Sequence, residues 1–315
     1  MSVWRPVTDN LSGYLFSLSD SLRLAEAQNP DMLVSVHRGT MVLASDYSGQ
    51  HKEASHEAYS FLITTDEALI RWLPSLSEFR GQWLPDGRRI SFKKLNEPVR
   101  WRALPAFLET VSELEGNLIT ILVDKRVGSF MSGGPEATVE AFPDCFDARI
   151  KKGTIEKMFR LASFVALILA GFRHQKQVSN WISDHDEALD SHDKREKFAR
   201  LATYLTFGLT GWRQAADHLF ATTESHMAPY WSEDVAAVAD LAAGAYCQLS
   251  GYLPAFVGRE TWRMRLNPSS IENRRASAIG NWLAESRGSL KHALLRLEQD
   301  SEGEVRASAQ AFVGR

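Results

Sequence analysis

Cysteine is nearly absent: in 315 residues only Cys145 and Cys247 occur, far apart and without a Cys-x-x-Cys partner. That scarcity excludes a disulfide framework and a thiolate zinc site, and it fits a reducing, cytoplasmic setting. Long apolar runs are missing as well. The longest, Leu161 to Phe172, contains Ser163 and Gly171 and falls short of the roughly 20 residues needed to cross a bilayer, so it reads as a buried helix and no membrane association is expected. The opening Met1-Ser2-Val3-Trp4-Arg5-Pro6 lacks the basic-then-apolar layout of a signal peptide. Nor is there an excess of one charge. At a formal net charge of −3, contact with nucleic acid has to come from a local basic patch and not from the field of the whole chain.

Several catalytic signatures are missing too. Gly128 to Gly134 has no Lys-Ser/Thr ending, no Gly-x-Gly-x-x-Gly follows the first strand, and no Gly-x-Ser-x-Gly occurs. Phosphate-binding-loop hydrolysis, dinucleotide binding and a serine-hydrolase elbow are thereby disfavoured. His56-Glu57 is not followed by a histidine at the spacing of the zinc-protease helix.

What is present is a hydrophobic content of 44%, enough for a full core. Periodicity predicts a helix over Leu11 to Gln28 and a break at Asn29-Pro30. Strands are expected at Thr40 to Asp46, Tyr59 to Thr64, Arg89 to Leu95, Leu118 to Val123 and Val178 to Ile182, with a short run at His218 to Thr222. Helices are expected at Ala68 to Phe79, Pro98 to Leu114 (Asn96 as N-cap), Thr154 to Phe172, Lys194 to Leu209, Ser232 to Ser250 (Ser232 as N-cap) and Ala276 to Leu297. Three early strands on short connections make an antiparallel meander, whereas the later strand-helix-strand units require parallel crossovers. The expectation is an α/β, RNase H-like mixed sheet flanked by helices over residues 39–250, with an N-terminal extension (1–38) and a helical C-terminal extension (251–315). In that plan the first strand lies beside the fourth and the fourth beside the fifth, all parallel, so their carboxyl ends share one edge.

Acids stand at those ends. Asp46 closes the apolar run Met41-Val42-Leu43-Ala44, Asp124 closes the fourth strand, Asp184, Asp186 and Glu187 follow the fifth, and Asp240 interrupts a run of small residues in the Ser232 to Ser250 helix. Each has an ordinary explanation: a turn for Asp46, a charged strand end for Asp124, a solvated loop for the 184–190 run, a buried ion pair or cap for Asp240. Taken together they would converge, and clustered carboxylates need counter-cations. Mg²⁺ or Mn²⁺ suits all-oxygen ligands, with Asp46, Asp124, Asp184 and Asp240 as the expected metal ligands. Two such ions about 4 Å apart support phosphodiester hydrolysis. Glu97, at the start of the helix after the third predicted strand, is a further candidate catalytic acid beside Asp46, Asp124, Asp184, Asp186 and Asp240. Between Arg88 and Arg102 the cations Arg88, Arg89, Lys93, Lys94, Arg100 and Arg102 stand against the single acid Glu97, interleaved with Phe92 and Trp101. That stretch is either a solvated charged segment or a nucleic-acid contact.

Asp46-Tyr47-Ser48-Gly49 and Ala239-Asp240-Leu241-Ala242-Ala243-Gly244-Ala245, with Phe92-Lys93-Lys94-Leu95 and Val123-Asp124-Lys125 between them, resemble an uncharacterised bacterial domain family. Its members open on a strand-borne Asp-Glu-Ser-Gly and close on a helix containing Ala-Asp-Leu. The resemblance spans about Thr40 to Tyr252 and implies an RNase H-like nuclease of RNA or DNA, associated with anti-phage defence or mobile elements. Tyr47 departs from it, standing where the family has Glu. Successive strand residues point to opposite faces, so position 47 should not share a metal site with Asp46. The competing expectation is an inactive RNase H-like module that binds nucleic acid or a partner protein, with the 251–315 segment as its docking element.

Overall fold

The central hairpin joins β1 (Met41–Ser48) to β2 (His56–Thr65) in antiparallel register, with Met41 opposite Thr65 and Ser48 opposite Ala58. A third strand, β3 (Gly116–Asp124), pairs antiparallel with β2, and β4 (Ser179–Ser183) and β5 (His218–Thr222) follow on the other side of β1, each parallel to its neighbour. The computed structural model describes residues 2–7, 13–146, 150–183, 191–212, 218–223, 231–253, 263–264, 273–285 and 288–312. The order β5-β4-β1-β2-β3 gives the mixed-sheet plan expected from the sequence, an antiparallel meander followed by two parallel strands, but with Gly116–Asp124 as the meander's third strand.

Two corrections follow from this topology. Arg89 to Leu95 is not a strand. Ile90 and Phe92 are buried, which gave the alternating signal, but the backbone turns: Lys94 N–H donates to Ser91 O (3.0 Å) and Leu95 N–H to Phe92 O (3.3 Å), forming a 3-10 turn at Phe92–Lys94. The meander therefore closes with β3. The expected fourth strand lies beside β2 and not beside β1, and β1 neighbours β4 directly.

The second correction concerns the tail. The helix predicted at Ala276 to Leu297 ends as α8 (Arg274–Glu285), and Leu290–Gln299 is strand β7, parallel to β3 and followed by antiparallel β8 (Val305–Phe312). Leu290, Ala293, Leu294 and Leu297 have helical spacing. However, β7 lies between two strands and is covered on both faces, which produces a nearly continuous buried run. The bridge β6 (Arg263–Met264) completes an eight-stranded sheet beside β8.

Helices cover both faces. On one side lie α1 (Gly13–Gln28), α4 (Gly134–Ala141), α5 (Lys152–Phe172) and α6 (His192–Thr210), packed on Met41, Leu43, Phe61, Ile63, Ile119 and Ile121. On the other lie α2 (Asp66–Trp83), α3 (Pro98–Ser112), α7 (Ser232–Leu249) and α8, packed on Val42, Ala44, Leu62, Leu118 and Leu122. No helix among the described residues is long and apolar enough to cross a membrane. α5 is instead buried from Leu161 to Phe172, and Gly171 is required there because a Cβ would sit 2.0 Å from the Trp4 ring. The expected caps shift by one residue: Glu97 precedes α3, with Pro98 as its first residue, and Trp231 precedes α7.

Two histidines, the half-buried His218 and the buried His292, give the fold an acid-sensitive edge. Burial and the neighbouring Arg173 hold His218 down to about 3, and burial holds His292 down to about 4, from an ordinary 6.5. Because both bind a proton more tightly unfolded than folded, their contribution to stability is intact above pH 6.5. It is lost as pH falls toward those folded values, by about 2 kcal/mol per histidine between pH 6.5 and about pH 5. Thermal unfolding followed across that range should show a falling Tm, and His292→Gln should flatten the dependence. A Tm that does not change with pH would contradict both assignments.

Candidate functional site

Asp46 lies in β1 opposite Ser60, which pairs in turn with Thr120 of β3, and the two hydroxyls are 2.7 Å apart. Strand alternation puts Asp46 on the face of Val42 and Ala44, the side that α7 covers. Its Oδ1 accepts the Tyr47 backbone N–H at 2.7 Å. Tyr47 points the other way. Its ring lies 5.7 Å from that of Tyr59, and its hydroxyl is 2.7 Å from Ser45 Oγ and 3.2 Å from Ser183 Oγ, within the layer under α5. The tyrosine that breaks the expected motif is thus on the opposite face from Asp46.

α7 is built almost wholly of small and apolar residues, and this allows it to lie close against β1 and β2. Asp240 is its one half-buried acid past the first turn. Its Oδ2 accepts the Phe92 backbone N–H at 2.7 Å. One turn on, Gly244 leaves room for the Phe92 ring: a Cβ there would come within 2.3 Å of Phe92 Cγ. The 3-10 turn is therefore fixed to α7 by a hydrogen bond and a close ring contact, which is why its N–H groups are not spent on a strand partner.

The remaining acids are placed differently. Asp124 sits at the end of β3, opposite His56 and two strands away from β1. It is buried and bound to one arginine: Oδ1 accepts Arg126 N–H (2.9 Å), and Oδ2 accepts Arg126 Nε (2.8 Å) and Nη2 (2.5 Å). Burial pushes this carboxyl up, but the Arg126 bonds outweigh it and hold it below its ordinary value. Glu97 pairs with Arg100 and, at 3.7 Å, with Arg88. Asp184 and Asp186 lie outside the described residues; Ser183, which precedes them, pairs with Ser45 of β1. Among the described residues no three His, Cys, Asp or Glu side chains are grouped so as to hold a metal ion.

The basic segment divides by role. Arg100 is buried, donating to Arg89 O at 2.8 Å and pairing with Glu97, and Arg88 bonds Asp86. These two hold the segment's own fold. Arg89 lends that carbonyl to the same arrangement. Lys93, Lys94 and Arg102 are exposed. Beside them are two cations that sequence reading passed over, Arg274 and Arg275 at the start of α8. The Arg274 guanidinium lies 3.9 Å above the Trp101 ring. Arg275 lies 4.9 Å above the Phe92 ring and donates to Phe92 O at 3.3 Å. Asn273 Oδ1 caps α8 by accepting from Arg275 and Ala276 N–H. The signal was available in Asn-Arg-Arg before an apolar run of helical spacing, but nothing local ties that run to Trp101.

No protein-family pattern matches the chain, and no curated protein sequence matches it. Among solved structures, the ribonuclease H2 of Pyrococcus horikoshii OT3 is similar with a TM-score of 0.35 and 11% identity, over 65% of this chain and 72% of that one.

Proposed function

We propose that the chain is a metal-dependent nuclease hydrolysing phosphodiester bonds of RNA or DNA, with Asp46 and Asp240 as its central carboxylates. The observation that carries this reading is their placement: an RNase H-like sheet presents Asp46 on the face that α7, the bearer of Asp240, covers. The acidic run Asp184-His185-Asp186-Glu187 continues the chain from Ser183, whose strand partner Ser45 adjoins Asp46. The Asp46 carboxylate, across from Ser60 whose hydroxyl meets that of Thr120, would with Asp240 make a donor set of hard oxygens that suits Mg²⁺ or Mn²⁺. Asp46 and Asp240 would hold the ions together with Asp184 or Asp186; Asp124, engaged by Arg126, is left out of the set. Bound there, the ions would supply Lewis acidity and an activated water. Lys93, Lys94 and Arg102 would orient the phosphate backbone. The defence or mobile-element setting implied by the sequence resemblance and a cytoplasmic location belong to this same reading, whereas a protein partner at the C-terminal segment belongs to the inactive-module alternative.

A second reading is favoured by the engagement of Asp124 with Arg126 and of Asp240 with Phe92 N–H: a module that binds nucleic acid without cutting it. Incubating the protein with single-stranded and duplex RNA and DNA in Mg²⁺, Mn²⁺ or EDTA separates the two. Cleavage that requires the ions and stops in EDTA is expected. Binding without cleavage in either metal would favour the inactive module, and cleavage that persists in EDTA would defeat the metal mechanism.

A further inference from the structure

A cleft of about 470 Å³ lies between the start of α3 and the start of α8, lined among others by Asn96, Trp101, Arg102, Asn273, Arg274 and Arg275. From this cleft we infer a binding site for one unstacked nucleotide, the base lying on the Arg274–Trp101 platform and the phosphate held by the cleft's arginines. The inference rests on the reading that the chain acts on nucleic acid and narrows its substrate to a single strand.

The volume suits a ligand of nucleotide size, since small-ligand sites run from roughly 300 to 1,000 Å³. Arg274 is exposed and stacked on Trp101 at 3.9 Å. The indole thus orients the guanidinium as a flat plate whose outer face a base can cover. Arg102 is exposed at the cleft's other side, its Nε making a weak 3.3 Å bond to Pro98 O, so it can turn toward a phosphate. Asn96 and Asn273 offer amide groups for base edges, and no carboxylate is among the described lining residues. A duplex keeps its bases stacked and paired, and so presents no free face to such a plate; a single strand does.

The cleft is also tied to the proposed acidic site. A single residue, Phe92, donates its backbone N–H to Asp240 at 2.7 Å and accepts from Arg275 at its carbonyl at 3.3 Å. A strand held in the cleft and passing over the Phe92–Lys94 turn meets the exposed Lys93 and Lys94 next to the α7 acid.

The test measures fluorescence anisotropy of a labelled oligonucleotide of about ten nucleotides, single-stranded or duplex, in EDTA so that no cleavage intervenes. Single strand is expected to bind more tightly than duplex. Arg274→Gln and Trp101→Leu should each weaken it about tenfold, in line with stacking losses of about 1–3 kcal/mol per base. Arg23→Gln, on α1 at the opposite face of the sheet, should leave it unchanged. Adenosine monophosphate as competitor distinguishes the sources: displacement at low concentration assigns the cleft to free nucleotides, and none assigns it to a strand. Equal binding of duplex, retention of affinity in both cleft variants, or displacement by polyglutamate as readily as by nucleotide would overturn the inference. Asp46→Asn is carried alongside. Single-strand binding that depends on Arg274 without metal-dependent cleavage would defeat the nuclease reading alone, whereas cleavage indifferent to Arg274 and Trp101 would defeat the cleft alone.

Discussion

Asp46→Asn is expected to lower metal-dependent cleavage by more than about 100-fold while leaving the thermal midpoint close to that of the parent protein. The size follows from the role. Residues that merely support a metal ligand already cost about 10- to 100-fold when removed, and a carboxylate that would itself hold the ion should cost more. Stability should change little because Asp46 is half-buried at the strand's polar end and an isosteric amide oxygen can accept the Tyr47 N–H as the carboxylate does. Asp124→Asn is the matched contrast. Its carboxylate makes three bonds to Arg126, which in turn donates to Gln299 O of β7, so neutralising it weakens the join between β3 and β7 by about 1–3 kcal/mol. Cleavage by the folded variant should stay within a few-fold. The pair is read by kcat/KM in Mn²⁺ beside thermal unfolding. A dead, fully stable Asp124→Asn together with an active Asp46→Asn would reverse the assignment.

Much of this architecture was visible in the sequence wherever a local pattern and its tertiary partner agree. The runs at Met41 and Leu118, the helix at Ala68 and the small-residue helix around Asp240 each bury the face their periodicity specifies. The alternation argument that separates Tyr47 from Asp46 holds because β1 is paired on both sides. The failures have one cause: a distant partner decides the backbone. Ile90 and Phe92 alternate as a strand would, but Asp240 and Arg275, far along the chain, engage the N–H and carbonyl of Phe92, and the segment turns instead of pairing. Leu290 to Leu297 reads as helix by spacing, yet β3 offers a parallel edge that no local signal announces. The same holds for the site. Asp124 was conspicuous as a strand-end acid, and only the fold shows that two strands separate it from β4 and that Arg126 occupies both of its oxygens. Trp101 and Arg274 were readable singly. Their stacking belongs to the packing of α8 beside α3, which sequence spacing does not encode.

The anchor of α7 offers the largest expected change in stability. Asp234, in the first turn of α7, is 1% exposed at its side chain and bonds Arg80 of α2, which is 18% exposed. Arg80 Nε meets Oδ2 at 3.0 Å, Nη2 meets Oδ1, and Nη1 donates to Arg88 O at 2.7 Å. One guanidinium thereby joins α2, the start of α7 and the first residue of the basic segment. Asp234→Ala leaves that guanidinium without its counter-charge, and the expected loss is about 3–5 kcal/mol. The pair is nevertheless expected to add little net stability, since desolvation of buried charges offsets their attraction. Burial lifts the Asp234 carboxyl above its ordinary value despite the pull of Arg80. An acid with a raised folded value contributes stability below its unfolded value and loses it as pH rises through the folded one. Near neutrality the ionised pair is therefore held at a cost that the fold bears. Arg80→Met combined with Asp234→Leu should accordingly recover most of what Asp234→Ala loses, less the bond to Arg88 O. Urea unfolding of the parent, the single and the double variant decides the matter. A double variant as unstable as Asp234→Ala, or a single variant within about 1 kcal/mol of the parent, would show that the α2–α7 join does not depend on this pair.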